Sequence, residues 1–384
     1  GREDELAQIT TCLQREDVRL ITLTGPVGVG KTRLAIEAGR RLDKLRDGVY
    51  LVELASVREP GLVLPAIAAV LGVREGRGSN LERLVADYLA DRRLVLILDN
   101  FEHLLAAASV VAVLLAACPS LKIVVTSRAR LHLYGEHELV VLPLSLPEPA
   151  NLVGAVESAA VRLFCVRAQA ARADFRLTPS LTSIVAAICR HLDGLPLAIE
   201  LAAARIRLFS PQELLRRLDH QSPADAPGRA DPMPRLRVLE QAIRWSYDLL
   251  PPSQQTLLAR LAVFAGGFSL DAVQVICGAL QPALTDDIAD AVDVLLDQSL
   301  LARETRPHRF QPAGGCCLHC PVQQLQEDAA HTTRFALLET VGEFALARLQ
   351  NNGEYDLLRQ RHAAYYADRA QQMAAQLHSH AQGH

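Results

Sequence analysis

Aromatic residues make up only 4% of this 384-residue chain, with a single Trp and two Met. Its cores must therefore be filled by aliphatic side chains. Hydrophobic residues as a whole reach 50%, enough for two or three domains at this length. An excess of positive charge is also missing. Forty Lys and Arg stand against 43 Asp and Glu, a net charge of −3, which speaks against a nucleic-acid footprint over the whole surface. Long apolar runs are absent: the longest candidate, Val110 to Cys118, stops at Pro119, short of the roughly 20 residues of a membrane span. Cysteine is not scarce, with eight residues. However, Cys118, Cys165, Cys189 and Cys277 stand singly in apolar helical patterns, which fits reduced core thiols rather than a disulfide framework. No signal peptide is visible and Gly1 is not a natural start, so the expectation is a fragment of a cytoplasmic protein.

What is present is Gly25-Pro26-Val27-Gly28-Val29-Gly30-Lys31-Thr32, which fits G-x-x-x-x-G-K-[ST]. It follows an apolar, β-rich run, Val18 to Thr24, and precedes a helical face of Leu34, Ala35, Ala38, Leu42 and Leu45. Strand, glycine loop and helix are what phosphate binding requires. The glycines let backbone N–H groups turn inward, and the helix N-terminus adds partial positive charge. Gly25, Val27, Gly28, Val29, Gly30, Lys31, Thr32 and Arg33 are therefore the expected nucleotide contacts. Lys31 would meet the β- and γ-phosphates, and the Thr32 hydroxyl would ligate Mg²⁺.

The chain alternates strands and helices up to about Pro147, with further strands at Val49–Leu54, Arg93–Asp99, Leu121–Thr126 and His137–Leu142. This predicts an α/β nucleotide-binding domain over residues 1–147, with a parallel sheet. Helical patterns then take over. A helical domain with a Pro-rich linker (Pro223, Pro227, Pro232, Pro234) is expected over residues 148–234. Helices followed by two short strands, Leu300–Arg303 and Arg334–Leu338, suggest a winged helix over residues 235–350. A further helical domain begins at residues 351–384. The fold class is α/β followed by all-α.

Asp99 ends an apolar strand near the phosphate loop, a place suited to holding Mg²⁺ through water; capping of the next helix is the alternative. Asn100 stands where many related ATPases carry a second carboxylate, and it cannot act as a base. Glu102 is the nearest carboxylate. It either orients water or merely occupies the first turn of a helix. Arg128, after Thr126-Ser127, either senses a γ-phosphate or is an ordinary surface arginine. Cys316-Cys317-Leu318-His319-Cys320 invites a zinc reading but lacks a second ligand pair, although His308 or His331 could contribute, and a metal-free insertion is favoured. The candidate recognition helix, Ile288 to Gln298, contains Asp290, Asp293 and Asp297 and no cation. It would be repelled by DNA, which needs cations against its phosphates.

Together with Gly1-Arg2-Glu3-Asp4-Glu5-Leu6 and Gly194-Leu195-Pro196-Leu197-Ala198, these motifs resemble the signal-transduction ATPases with numerous domains (STAND). The likeness is to their NB-ARC-like members, in the branch of bacterial transcriptional regulators. Trp245-Ser246-Tyr247-Asp248-Leu249-Leu250 and Leu338-Glu339-Thr340 add to it, and it covers nearly the whole chain. The resemblance implies ATP or ADP with Mg²⁺, clamped between three domains. Arg2 would lie beside the adenine or ribose, and Pro196 would pack on the adenine, although Pro196 on physical grounds alone is equally a helix start. One departure stands out. Where many NB-ARC proteins place Met-His-Asp, this chain has Leu337-Leu338-Glu339, and Leu338 cannot hydrogen-bond a phosphate.

The expected function is an ATP/ADP switch with slow hydrolysis. It would self-associate in the ATP state and serve effector and sensor domains outside the fragment, without direct DNA or membrane contact. A constitutive ATPase or motor, and a direct DNA-binding protein, are the alternatives.

Overall fold

A computed structural model describes residues 1–42, 47–74, 80–147, 152–221, 234–278, 280, 287–303, 309–310 and 333–381. The prolines at 223, 227 and 232 and the Cys316–Cys320 cluster lie outside the described residues.

Helix α1 (Glu3–Gln14) leads into β1 (Leu20–Thr24), the glycine loop and α2 (Lys31–Arg40). Then come β2 (Val49–Glu53), α3 (Val63–Leu71), α4 (Leu81–Leu89), β3 (Val95–Asp99), α5 (Ala108–Ala117), β4 (Lys122–Thr126) and β5 (Glu136–Val140). The five strands pair in parallel in the order β5-β1-β4-β3-β2. Alternate residues of each strand point to opposite faces, and both faces are covered. Leu20, Val52, Leu96, Leu98 and Val125 pack with α3, α4 and α5, while Ile21, Leu51, Ile97 and Val124 pack with α1 and α2. Burial on both sides explains why β1 to β4 read as nearly continuous apolar runs, whereas the edge strand β5, with Glu136, His137 and Glu138, is only partly buried.

The second unit comprises α6 (Leu152–Ala155), α7 (Ala159–Ala171), α8 (Pro179–His191), α9 (Pro196–Ala204) and α10 (Pro211–Gln221). Gly194 fastens it to the chain leaving the sheet. Gly194 has φ +66°, and a Cβ there would lie 2.5 Å from the Leu144 carbonyl oxygen, so a side chain is excluded.

A third group of elements begins with α11 (Pro234–Asp248), which starts five residues before the Leu239 suggested by the apolar pattern because Pro is well suited to a first helical turn. It continues with α12 (Pro252–Leu261), β6 (Phe268–Ser269), α13 (Leu270–Cys277), α14 (Ile288–Asp297) and β7 (Leu301–Arg303). The two-residue β8 (Arg309–Phe310) joins the free edge of β2 in antiparallel fashion. β9 (Arg334–Leu337) lies between β6 and β7 in a small antiparallel sheet. Helices α15 (Glu339–Asn351) and α16 (Tyr355–Ala381) close the chain.

One continuous apolar core runs from Leu144 to Leu358, through both helical units. Arg260 is buried within the third unit. Its Nε and Nη2 donate to the Glu354 carboxylate at 2.9 and 2.8 Å, and its Nη1 donates to the Cys277 carbonyl at 3.2 Å. That ion pair joins α12 and α13 to the start of α16. The described cysteines are free, and burial pushes the Cys189 and Cys277 thiols up to about 12. No helix among the described residues is long and apolar enough to cross a membrane.

Candidate functional site: a phosphate loop facing the third unit

The loop between β1 and α2 is shaped by three glycines. Gly25, Gly28 and Gly30 have φ of +142°, +75° and +95°, backbone states that L side chains rarely adopt. Gly25 lies so close to the backbone after β5 that a Cβ would sit 2.5 Å from the Val141 carbonyl oxygen. Gly30 is the N-cap of α2, so the first N–H groups of that helix face the loop. Lys31 Nζ donates to the Gly25 and Pro26 carbonyls at 3.0 and 3.3 Å. Burial pulls its pKa below the ordinary lysine value, against the opposing charges of Glu102, Glu339 and Asp99.

Asp99, at the end of β3, is buried. Thr126 Oγ1 donates to its Oδ1 at 2.7 Å, and the Thr32 hydroxyl hydrogen-bonds it as well. Burial pushes its carboxyl above the ordinary range, partly offset by these hydroxyls. Its side chain is thus turned towards Thr32, and helix capping is not its use here. Asn100 follows in a left-handed backbone state, φ +65°, with its N–H donating to Thr126 Oγ1 at 2.8 Å. Thr126 therefore joins two strand ends through one hydroxyl. Glu102 lies in a turn before α5, not in the first turn of a helix, so that alternative for it fails. Its Oε1 accepts from Arg128 Nε at 2.6 Å, while its Oε2 is buried with no hydrogen-bond partner among the described residues.

An orphaned carboxylate oxygen beside Lys31 and Asp99 is the expected state of a site whose remaining partner is a water or the hydration shell of a cation. Among the described residues no group of three or more His, Cys, Asp or Glu is arranged to hold a metal. A cation ligated by Thr32 and Asp99 would therefore need oxygens from a bound phosphate, which is how Mg²⁺ is usually held. The residues present fit Mg²⁺ with a nucleoside phosphate.

The other expected contacts are spread around the loop. Arg2 Nη2 donates to the Val29 carbonyl at 3.1 Å, and its Nη1 pairs with Glu5 at 2.6 Å, which ties the segment before α1 to the loop. Pro196 is the first residue of α9, and the N–H of the next residue, Leu197, donates to the Gly28 carbonyl at 3.3 Å. Arg33 pairs with Glu200 of α9 at 3.5 Å.

Sequence reasoning missed the far wall. Leu338 is the N-cap residue of α15, but its neighbour Glu339 reaches the site and hydrogen-bonds the Asn100 side chain. Glu343, one turn further along, accepts from Arg128 Nη2 at 3.3 Å. Glu339 is exposed to solvent on one side, yet neighbouring protein groups crowd its carboxylate. That crowding, with repulsion from Glu102 and Glu343, raises its pKa to about 7. The available signal was the i, i+4 spacing of Glu339 and Glu343, opposite the apolar stripe of Val341, Ala345 and Leu349. Leu239 of α11 was missed as well; a Cβ on Gly28 would come within 2.9 Å of its Cδ2 and 3.3 Å of Leu197 Cβ.

Comparison with known proteins finds an AAA-type domain around the phosphate loop. The AAA domain family model matches residues 14–140. A protein of Mycobacterium bovis named as an HTH-type transcriptional regulator is 36% identical over 351 residues, 91% of this chain and 36% of the relative. The chain thus spans about a third of that relative's length. An uncharacterized protein of Mycobacterium tuberculosis is 38% identical over 278 residues, 72% of this chain and 68% of that protein. Among solved structures, a STAND protein with a tetratricopeptide repeat sensor from Pyrococcus horikoshii superposes with a TM-score of 0.54 at 16% identity. That match covers 96% of this chain and 45% of the other, and it speaks for the fold.

Proposed function

We propose that this chain, whose residues 14–140 match the AAA domain family, is the ATP/ADP-controlled switch module of a STAND-type transcriptional regulator. The observation that carries this reading is convergence. Lys31, Asp99 and Glu102 from the first unit, Leu197 from the second, and Glu339 and Glu343 from the third all meet around one phosphate loop. Units that share contacts with one ligand site can have their arrangement biased directly by that ligand.

In this reading the loop N–H groups and Lys31 hold the phosphates, and Thr32 and Asp99 hold Mg²⁺. Arg128 senses the terminal phosphate, while Arg2 and Pro196 contact the base or ribose. Glu102 orients water. Because Asn100 offers no base, turnover is slow, below the roughly 10 s⁻¹ median of enzymes. ADP holds the units closed, and ATP opens them for self-association. The third unit, read as a winged helix, serves as an internal packing module. Asp297 of its acidic helix α14 pairs with Arg207 of the second unit, a use that supports this role over contact with DNA. Signal input and output belong to effector and sensor domains outside this chain, and the name of the M. bovis relative suggests a regulatory output.

Hydrogen exchange with and without ADP tests the reading. Protection should extend beyond the loop to Gly194–Ala198 and Leu337–Glu339, because units coupled through a ligand share its stabilisation. Protection confined to residues before Pro147 would overturn it.

A further inference from the structure

Arg128 is claimed from two sides. Its Nε is held by Glu102 of the first unit at 2.6 Å, and its Nη2 by Glu343 of the third at 3.3 Å. Four residues before Glu343, on the same face of α15, Glu339 meets Asn100 and acts electrostatically on both Lys31 and Arg128. The cleft around the loop thus holds two cations, Lys31 and Arg128, facing three carboxylates besides Asp99. One carboxylate belongs to the first unit, and two ride on a helix that the third unit carries.

A nucleoside diphosphate ends at its β-phosphate, over the loop N–H groups and Lys31. A triphosphate adds a terminal group that needs the same two cations now facing α15. Its charge would enter beside Glu339 and Glu343, whose like charges repel it at the moderate strength of partly solvated groups.

We propose that Glu339 and Glu343 are specificity-determining residues that set the preference of the closed molecule for a nucleoside diphosphate over a triphosphate. The terminal phosphate takes Arg128 from Glu343 and repels Glu339, and the helix bearing both leaves the cleft. This rests on the nucleotide-switch reading and adds to it the residues that tell the two nucleotides apart. The apolar stripe of α15, with Val341, Ala345 and Leu349 buried, lets the helix move with its own unit as a body. Its links to the first unit through Glu343 are half-exposed, and such ion pairs are individually weak.

The test is calorimetric titration of ADP and of a non-hydrolysable ATP analogue, each with Mg²⁺, into the full chain and into E339Q, E343Q, the double variant and E339D. Glutamine keeps the shape and removes the charge. The double variant should raise the analogue-to-ADP affinity ratio about tenfold, with ADP affinity changed less than twofold. Each single variant should give part of that gain, and the charge-retaining E339D should keep the wild-type ratio. Should the double variant fail to fold, the single variants and E339D decide the matter. An unchanged ratio in wild-type-like folded variants, or an equal gain in E339D and E339Q, overturns this inference while leaving the switch reading standing. A wild-type chain that binds neither nucleotide overturns both.

Discussion

The phosphate loop and the N-terminus of α15 face one another across the cleft, and they are held by different forces. The loop is contiguous in the chain and rooted in a five-stranded sheet whose two faces carry separate cores. Its shape follows from glycine backbone states and from the tight approach of Gly25 to Val141. The opposite wall lies 215 residues along the chain from Arg128. Its position is set by an apolar core shared among the helices of the second and third units. Across the cleft the two walls touch mainly through polar groups, Arg128 with Glu343 and Asn100 with Glu339, together with the small apolar contact of Leu197 and Leu239 on Gly28. Strong bonding within each wall and weak bonding between them is what allows a cleft to change its opening without unfolding either side.

The largest expected effect would break one side only. Arg260→Ala empties a fully buried site and leaves the part-exposed Glu354 carboxylate without its partner, a loss of about 3 kcal/mol, the low end of what breaking a fully buried pair costs. Hydrogen exchange should show the loss in α12, α13 and α16, with β1 to β4 retaining their protection. Loss spread evenly over both regions would deny that the two sides are separately held.

The counterpart on the loop side is Lys31→Ala. ATP and ADP affinities should fall at least a hundredfold, about 2.7 kcal/mol, because no other side chain extends from the loop with a positive charge towards the phosphates. The melting temperature without nucleotide should change little, since the variant also relieves the burial of a cation. Unchanged calorimetric affinities would remove the loop from the site.

A smaller effect should come from Gly28→Ala, which forces an L side chain into a left-handed state at a cost of roughly 1–2 kcal/mol. It also presses on Leu197 and the flexible end of Leu239. Exchange should quicken at 194–198 before it does so in β1, and the reverse order would show that the contact across the loop does not matter.

The smallest expected effect sharpens the comparison through pH. Glu339 has its pKa raised from the usual 4.5 to about 7 in the folded molecule, so the folded state binds the proton more tightly than the unfolded one. Its unfavourable contribution is absent below about 4.5, grows as pH rises from 4.5 to 7, and is complete above 7. Solvent exposure of Glu339 keeps this contribution small. The stability gained by Glu339→Gln over wild type should therefore be larger at pH 8 than at pH 5, as thermal melts at both values would show. A gain that shrinks with pH would mean the carboxylate is favourably paired when charged.

Most of the loop side could be read from residues alone. Five strands, the glycine motif, the Asp99 strand end and the helix start at Pro196 each rest on neighbouring residues obeying backbone rules, and the chain folds them where the pattern places them. The two short strands near Leu301 and Arg334 were legible as well, but their third partner, Phe268–Ser269, is two residues long and carries no period of its own. The apolar pattern marks the start of α11 late because its first turn, Pro234 to Arg237, carries two arginines in four residues. The sequence leaves Glu102 between two roles because a carboxylate after a strand serves a helix or a site equally well until the turn is seen.

The sequence by itself determined that this chain carries a P-loop ATPase sheet followed by helices, because phosphate loops and buried parallel strands depend on contacts between close neighbours in the chain. Only the tertiary structure decided that Glu339, and not Leu338, faces the loop, and that Arg128 is shared between Glu102 and Glu343. A helix face is chosen by what its apolar side packs against. For α15 that choice lies with Val341, Ala345 and Leu349 seated in a core built from residues between Leu144 and Leu358, a long-range packing that no local pattern encodes.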